Sequence, residues 1–131
     1  MNLAAVLVGA IINMAVGSLW YSNVLFAKPW MKLLGKTEKD MKSGNMGAMY
    51  GKVFVMALIQ SFVLMMLVTK LNLVSVVDGA ILGFWVWLGF VVTTSFSDYL
   101  FSGRPIKLFA INESYYLVVL VLVGGLFGAW H

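Results

Sequence analysis

The sequence predicts an all-α fold: an integral membrane four-helix bundle built from two parallel helical hairpins, with both termini extracytoplasmic. Three observations carry that prediction. Four apolar stretches occupy almost the whole chain. Hydrophobic residues make up 62% and charged residues 11%, whereas a soluble domain carries about 25% charged residues. Finally, two stretches end in nearly the same phrase, Tyr21-Ser22-Asn23-Val24-Leu25-Phe26 and Phe96-Ser97-Asp98-Tyr99-Leu100-Phe101. Each is followed by Pro and then Lys-Leu (Pro29, Lys32-Leu33; Pro105, Lys107-Leu108). Lipid must supply much of the solvent for such a chain, and residues 1–131 read as one transmembrane domain.

The first span is read over residues 3–26. A bilayer core of about 30 Å needs roughly 20 helical residues, and this stretch has them. No basic n-region precedes it and no cleavage-like motif follows, so it reads as a retained helix. The loop 27–47 carries Lys28, Lys32, Lys36, Lys39 and Lys42 at intervals of three or four, with Trp30, Met31, Leu33, Leu34 and Met41 between them. That spacing gives one basic and one apolar face, as in a helix lying at an anionic lipid surface. Thr37 reads as an N-cap with Asp40 three residues on, and Ser43-Gly44-Asn45 as a break. The second, third and fourth spans are read over residues 48–69, 79–101 and 108–130. Ser102-Gly103-Arg104-Pro105 is the tight turn between the last two.

The basic residues set the orientation. Lys28, Lys32, Lys36, Lys39, Lys42, Lys52, Arg104 and Lys107 cluster on one side, and only Lys70 on the other. The positive-inside rule then places the first and third loops in the cytoplasm, in a plasma (inner) membrane. The net charge of +4 is accounted for by these flanks, so the partner it implies is the lipid bilayer rather than nucleic acid. Trp20, Tyr21 and Trp30 fall where an interfacial aromatic belt is expected on the inner side, and Trp130 on the outer.

An offset of 75 residues aligns Val16 with Val91, Ser22 with Ser97, Leu25 with Leu100, Phe26 with Phe101, Lys32 with Lys107 and Leu33 with Leu108. Duplication of a hairpin explains these matches, and the repeats would be parallel, related by an axis along the membrane normal. The competing explanation is two helix ends with the same interfacial preferences. Small residues mark helix contacts in lipid. Gly9, Asn13 and Gly17 share a face, and Gly47/Gly51, Gly79/Gly83 and Gly124/Gly128 are spaced by four. They read either as packing within the chain or as a seam between copies of a homo-oligomer.

Chemistry is sparse. The chain has no cysteine and one histidine, His131. No thiolate nucleophile, disulfide or metal constellation is available, so neither a cofactor nor an enzymatic activity is expected. Glu113 is the most notable polar residue, lying about 9 Å along its helix from Lys107. An acid inside a span costs about 2.5–3.5 kcal/mol at the centre, so it should face protein or water. With Asp98, Asn112, Asn23 and Arg104 it forms a candidate polar cluster near the cytoplasmic side. That cluster reads as an ion, proton or polar-solute site, or as a structural knot between the hairpins. Asn13 and Gln60-Ser61 read as interhelical hydrogen-bond formers.

Two further runs carry a likeness: Gly17-Ser18-Leu19-Trp20-Tyr21-Ser22 continuing to Leu25-Phe26-Ala27-Lys28-Pro29-Trp30, and Trp87-Leu88-Gly89-Phe90-Val91-Val92-Thr93-Thr94 continuing through Gly103-Arg104-Pro105, Lys107-Leu108 and Ile111-Asn112. With them the chain resembles the domain of unknown function 1761 family of small, mostly prokaryotic membrane proteins. That resemblance spans nearly the full chain and implies a topology but no activity. After Asn112 the family pattern more often has a small residue and then Tyr-His, where this chain has Glu113-Ser114-Tyr115-Tyr116. Two functions stand: transport or conduction of a small polar solute or ion, or an accessory role binding a membrane partner or anionic lipid through Lys28, Lys32, Lys36 and Lys39.

Overall fold

The computed structural model describes residues 1–41 and 44–131, so Lys42 of the basic stretch and Ser43 of the expected break lie outside the described residues. All regular structure among the described residues is helical. Four helices are long and apolar enough to cross a membrane: Leu3–Trp20, Met46–Lys70, Val76–Ser102 and Ile106–Ala129.

Helix α1 (Leu3–Trp20) starts where the Asn2 side chain accepts the Ala5 N–H at 3.1 Å. The sequence reading carries this span on to Phe26, but the helix closes at Trp20. The Tyr21 N–H still bonds to Gly17, while the Ser22 hydroxyl donates to the Leu19 carbonyl at 2.6 Å and draws off an end carbonyl. The chain then turns and re-enters as α2 (Ala27–Leu34), with Pro29 in its first turn, where no intrahelical N–H is needed. Gly35 ends α2 at φ 72°, a left-handed conformation that glycine adopts without strain. There the Lys36 N–H bonds to Met31 and the Gly35 N–H to Lys32, the paired return of a Schellman end. The expected Thr37 cap is present before α3 (Glu38–Met41): the Asp40 N–H donates to Thr37 Oγ1 at 3.2 Å, and the Thr37 N–H donates to Asp40 Oδ2 at 3.0 Å.

Helix α4 (Met46–Lys70) is capped by Asn45, whose side chain accepts the Ala48 N–H. Ser75 caps α5 (Val76–Val86) in the same way through Asp78. The third long helix is not regular. A π-helical segment, Trp87–Val92, divides α5 from α6 (Thr93–Ser102). Gly103 at φ 71° ends α6, and Pro105 leads into α7 (Ile106–Ala129).

Helix α7 is the hub, packing against α1, α4, α5 and the π segment. Its contact with α5 is backbone to backbone. A methyl added at Gly79 would collide with the Gly124 carbonyl, one at Gly83 with the Leu120 carbonyl, and one at Gly128 with the Ser75 carbonyl. These glycine pairs therefore serve packing within the chain. Gly47 and Gly51 differ: no other helix comes within 4 Å of a methyl added at either. Val6, Leu64, Met65, Val68, Leu120 and Phe127 fill the core. Leu7, Ile11, Met56, Ile59, Phe62 and Phe90 lie on the outside. Among the described residues, the buried polar and charged ones are Ser61 and Glu113, each 3% exposed.

Candidate functional site

Two polar layers cross the interior, each centred on an asparagine. In the first, the Tyr115 hydroxyl on α7 donates to the Asn13 side-chain carbonyl on α1. Asn13 Nδ2 in turn donates to Gln60 Oε1 on α4 at 2.8 Å. One turn further on, the Ser61 hydroxyl donates to the Val6 carbonyl at 2.7 Å. A small cavity of about 10 Å³ lies here, lined in part by Gly9, Asn13, Gln60 and Ser61. That volume is about what one water needs, and the lining supplies polar partners.

The second layer sits nearer the start of α7. The Tyr21 hydroxyl donates to Asn112 Oδ1 at 2.7 Å, and Asn112 Nδ2 donates to the Tyr99 hydroxyl at 2.8 Å. One amide thus ties the end of α1 to α6 through α7. Two indoles grip the same turn of α7: Trp20 Nε1 donates to the Ile111 carbonyl and Trp87 Nε1 to the Glu113 carbonyl, both at 2.9 Å.

Glu113 stands beside this layer. Its carboxyl is enclosed, and Oε2 is the buried side-chain oxygen among the described residues with no hydrogen-bond partner. The Ser95 hydroxyl on α6 reaches the carboxyl, and the Tyr116 and Tyr21 phenols lie within electrostatic range of it. The site depends on the π segment. By adding a residue to the turn, it lets α5 keep its glycine face on α7 while α6 turns Ser95 and Tyr99 inward.

Of the residues singled out in the sequence, Asn112 and Glu113 come together in the interior. Asp98 and Asn23 are exposed on the outer surface. Arg104 is exposed and lies over the Tyr99 ring, 5.7 Å from its centroid. It makes no ion pair with Glu113 among the described residues. Lys28, Lys32, Lys36 and Lys39 are exposed, while Trp30, Met31, Leu33 and Leu34 on the other face of α2 are half-buried. The Tyr21 and Trp30 rings are 4.5 Å apart. No group of three His, Cys, Asp or Glu side chains is gathered among the described residues. Sequence reasoning passed over Tyr99, Trp87 and Tyr115 as interior hydrogen-bond partners, and it assigned Trp20 and Tyr21 to a lipid belt. The signal for the three tyrosines was positional, since each lies level with an asparagine that needs a partner, whereas the two indoles bond main-chain carbonyls that the sequence does not mark.

The family model described as "Protein of unknown function (DUF1761)" matches residues 4–128, and the chain belongs to that family. Comparison with curated proteins and with solved structures finds no match.

Proposed function

We propose that this member of the family is a multi-pass membrane protein that handles a proton or a small monovalent cation at Glu113. One observation carries the reading: a buried carboxyl with an unpartnered oxygen, inside a helix long and apolar enough to span a bilayer. Burying such a group is costly unless it is paired or functional. The distribution of polarity supports the spanning arrangement, since Asn13, Gln60, Ser61, Asn112 and Glu113 turn inward while Leu, Ile and Phe cover the outside. The lysine bias supports an orientation with α2 and the Gly103–Pro105 turn in the cytoplasm and both termini outside. Parallel duplication of a hairpin is compatible with the pairwise packing of α1 on α4 and of α5 on α7.

Proteoliposomes loaded with a pH-sensitive dye test the proposal under imposed proton, Na⁺ or K⁺ gradients. Wild-type protein should carry one of these ions. Glu113→Gln should abolish the flux while retaining the wild-type thermal transition. Wild-type flux in Glu113→Gln would refute the role.

A second reading, of an accessory protein on anionic lipid, is favoured by α2. Its exposed lysines, at helical spacing on the face away from the packed Trp30, support contact with anionic head groups. Salt-sensitive binding of the Lys28–Gly44 segment to anionic vesicles, and its absence on neutral ones, is the outcome that reading requires.

A further inference from the structure

We propose that Asp98 and Lys52 pair between two copies of this chain, across an interface formed by the first turns of α4 and the outer face of α6. The inference rests on the spanning reading, but it is independent of cation handling at Glu113.

Asp98 is the anomaly. It lies four residues before the end of α6, roughly 6 Å inside by the helical rise. It is exposed, together with Thr94 and Ser97 on the same side of the helix. The neighbouring hydroxyls satisfy themselves: Thr93 donates to the Gly89 carbonyl at 2.9 Å and Ser97 to the Thr93 carbonyl at 3.3 Å. The carboxylate has no such outlet, and no hydrogen bond or ion pair is made by Asp98 among the described residues. Charged groups within spans pair with one another or face water. A lysine can reach the interface along its own stem, whereas an aspartate side chain is too short to do so.

Lys52 is the complement. It is exposed and without an ion pair among the described residues, about 10 Å along α4 from the Asn45 cap. The internal hydrogen bonds fix its depth. Asn13 and Gln60 are bonded and therefore level. Eight residues towards the cytoplasmic side of each, about 12 Å by the helical rise, lie Tyr21 and Lys52. Tyr21 is level with Asn112, and Asn112 with Tyr99, the neighbour of Asp98. The unpaired anion and the unpaired cation thus occupy one layer on the outer faces of different helices.

The first turns of α4 offer room for a partner. Residues 47–53 are exposed, and Gly47 and Gly51 leave the backbone open beside Lys52. Small residues at such a face permit close helix approach. A two-fold axis along the membrane normal keeps both copies at equal depth, so each Asp98 meets the other copy's Lys52 and the pair forms twice.

The test uses the full chain in lipid bilayers, with dimer fraction read by single-molecule photobleaching. Asp98→Lys and Lys52→Asp should each weaken dimerisation by about tenfold, and the double variant should restore it. The chain lacks cysteine, so Asp98→Cys and Lys52→Cys chains mixed in one bilayer should cross-link to each other on oxidation. A monomeric wild type, or a dimer that ignores both charge reversals, overturns the pairing. Should a charge reversal prevent folding, the cysteine pair decides: no cross-link between the two variants is the overturning result.

Discussion

In the first hairpin, α1 and α4 meet through side chains, with Asn13 bonded to Gln60 and Ser61 bonded to the Val6 carbonyl. In the second, α5 and α7 meet through backbone, with Gly79 and Gly83 laid directly on Gly124, Leu120 and Gly128. The two solutions respond differently to change. A hydrogen bond between helices in lipid contributes modestly, because the separated helices find other partners. A backbone contact tolerates no added atom, because the neighbour that must yield is itself helix. The second hairpin is therefore the rigid one, and it is the one that carries Glu113.

The contrast breaks first at the glycines. Gly79→Val or Gly128→Val should destabilise the protein by more than about 3 kcal/mol, since the helices must separate to admit the side chain. Gly51→Ala, with open space around it, should cost nothing and should stabilise the monomer by up to about 1 kcal/mol through helix propensity. Reversible unfolding in mixed micelles measures both. If the two substitutions cost the same, the division between the hairpins fails.

Next comes the polar glue. Asn13→Ala should cost about 0.6–1.7 kcal/mol by the range measured for interhelical hydrogen bonds. A double-mutant cycle with Gln60→Ala should show coupling between the two, and additive costs would mean that the bond contributes nothing.

The smallest effect lies at the surface turn before α3. Its bonds from the Thr37 N–H and hydroxyl hold the Asp40 carboxyl below the usual carboxylate range. A depressed folded value means the stabilisation is present above the unfolded value and is lost as pH falls through the folded one. The Asp40 carboxyl signal in NMR should therefore titrate at lower pH than in an unfolded peptide of the same residues. Thr37→Ala removes the hydroxyl bond and keeps the larger backbone one, so it should raise the titration only part of the way to the ordinary range.

The four apolar helices, the Thr37 cap, the Gly103 turn and the Gly79/Gly83 and Gly124/Gly128 faces were legible because each depends on local composition or spacing. The break at Trp20 was not. Residues 21–26 contain no Gly or Pro to mark a stop, and the turn is made by the Ser22 hydroxyl with backbone bonds from Ser22, Leu25, Phe26 and Ala27. The π segment was equally hidden, since Trp87–Val92 has the composition of any apolar helix and its register is set by packing on both sides. That hidden register explains why the candidate cluster was only half legible. Glu113 and Asn112 could be placed by depth. Which face of α6 turns inward, with Ser95 and Tyr99 in and Asp98 out, follows from the extra residue in the turn above.

Glu113 can be watched directly. The chain has two glutamates, Glu38 and Glu113, so a Glu38→Gln chain labelled with carbon-13 glutamate reports a single side-chain carboxyl by infrared spectroscopy in lipid. If Glu113 handles a proton or cation, its band should interconvert between the acid and carboxylate forms while the protein stays folded, and the midpoint should move when Na⁺ or K⁺ is added. A band that holds one form across the whole folded pH range and ignores both ions would contradict that role.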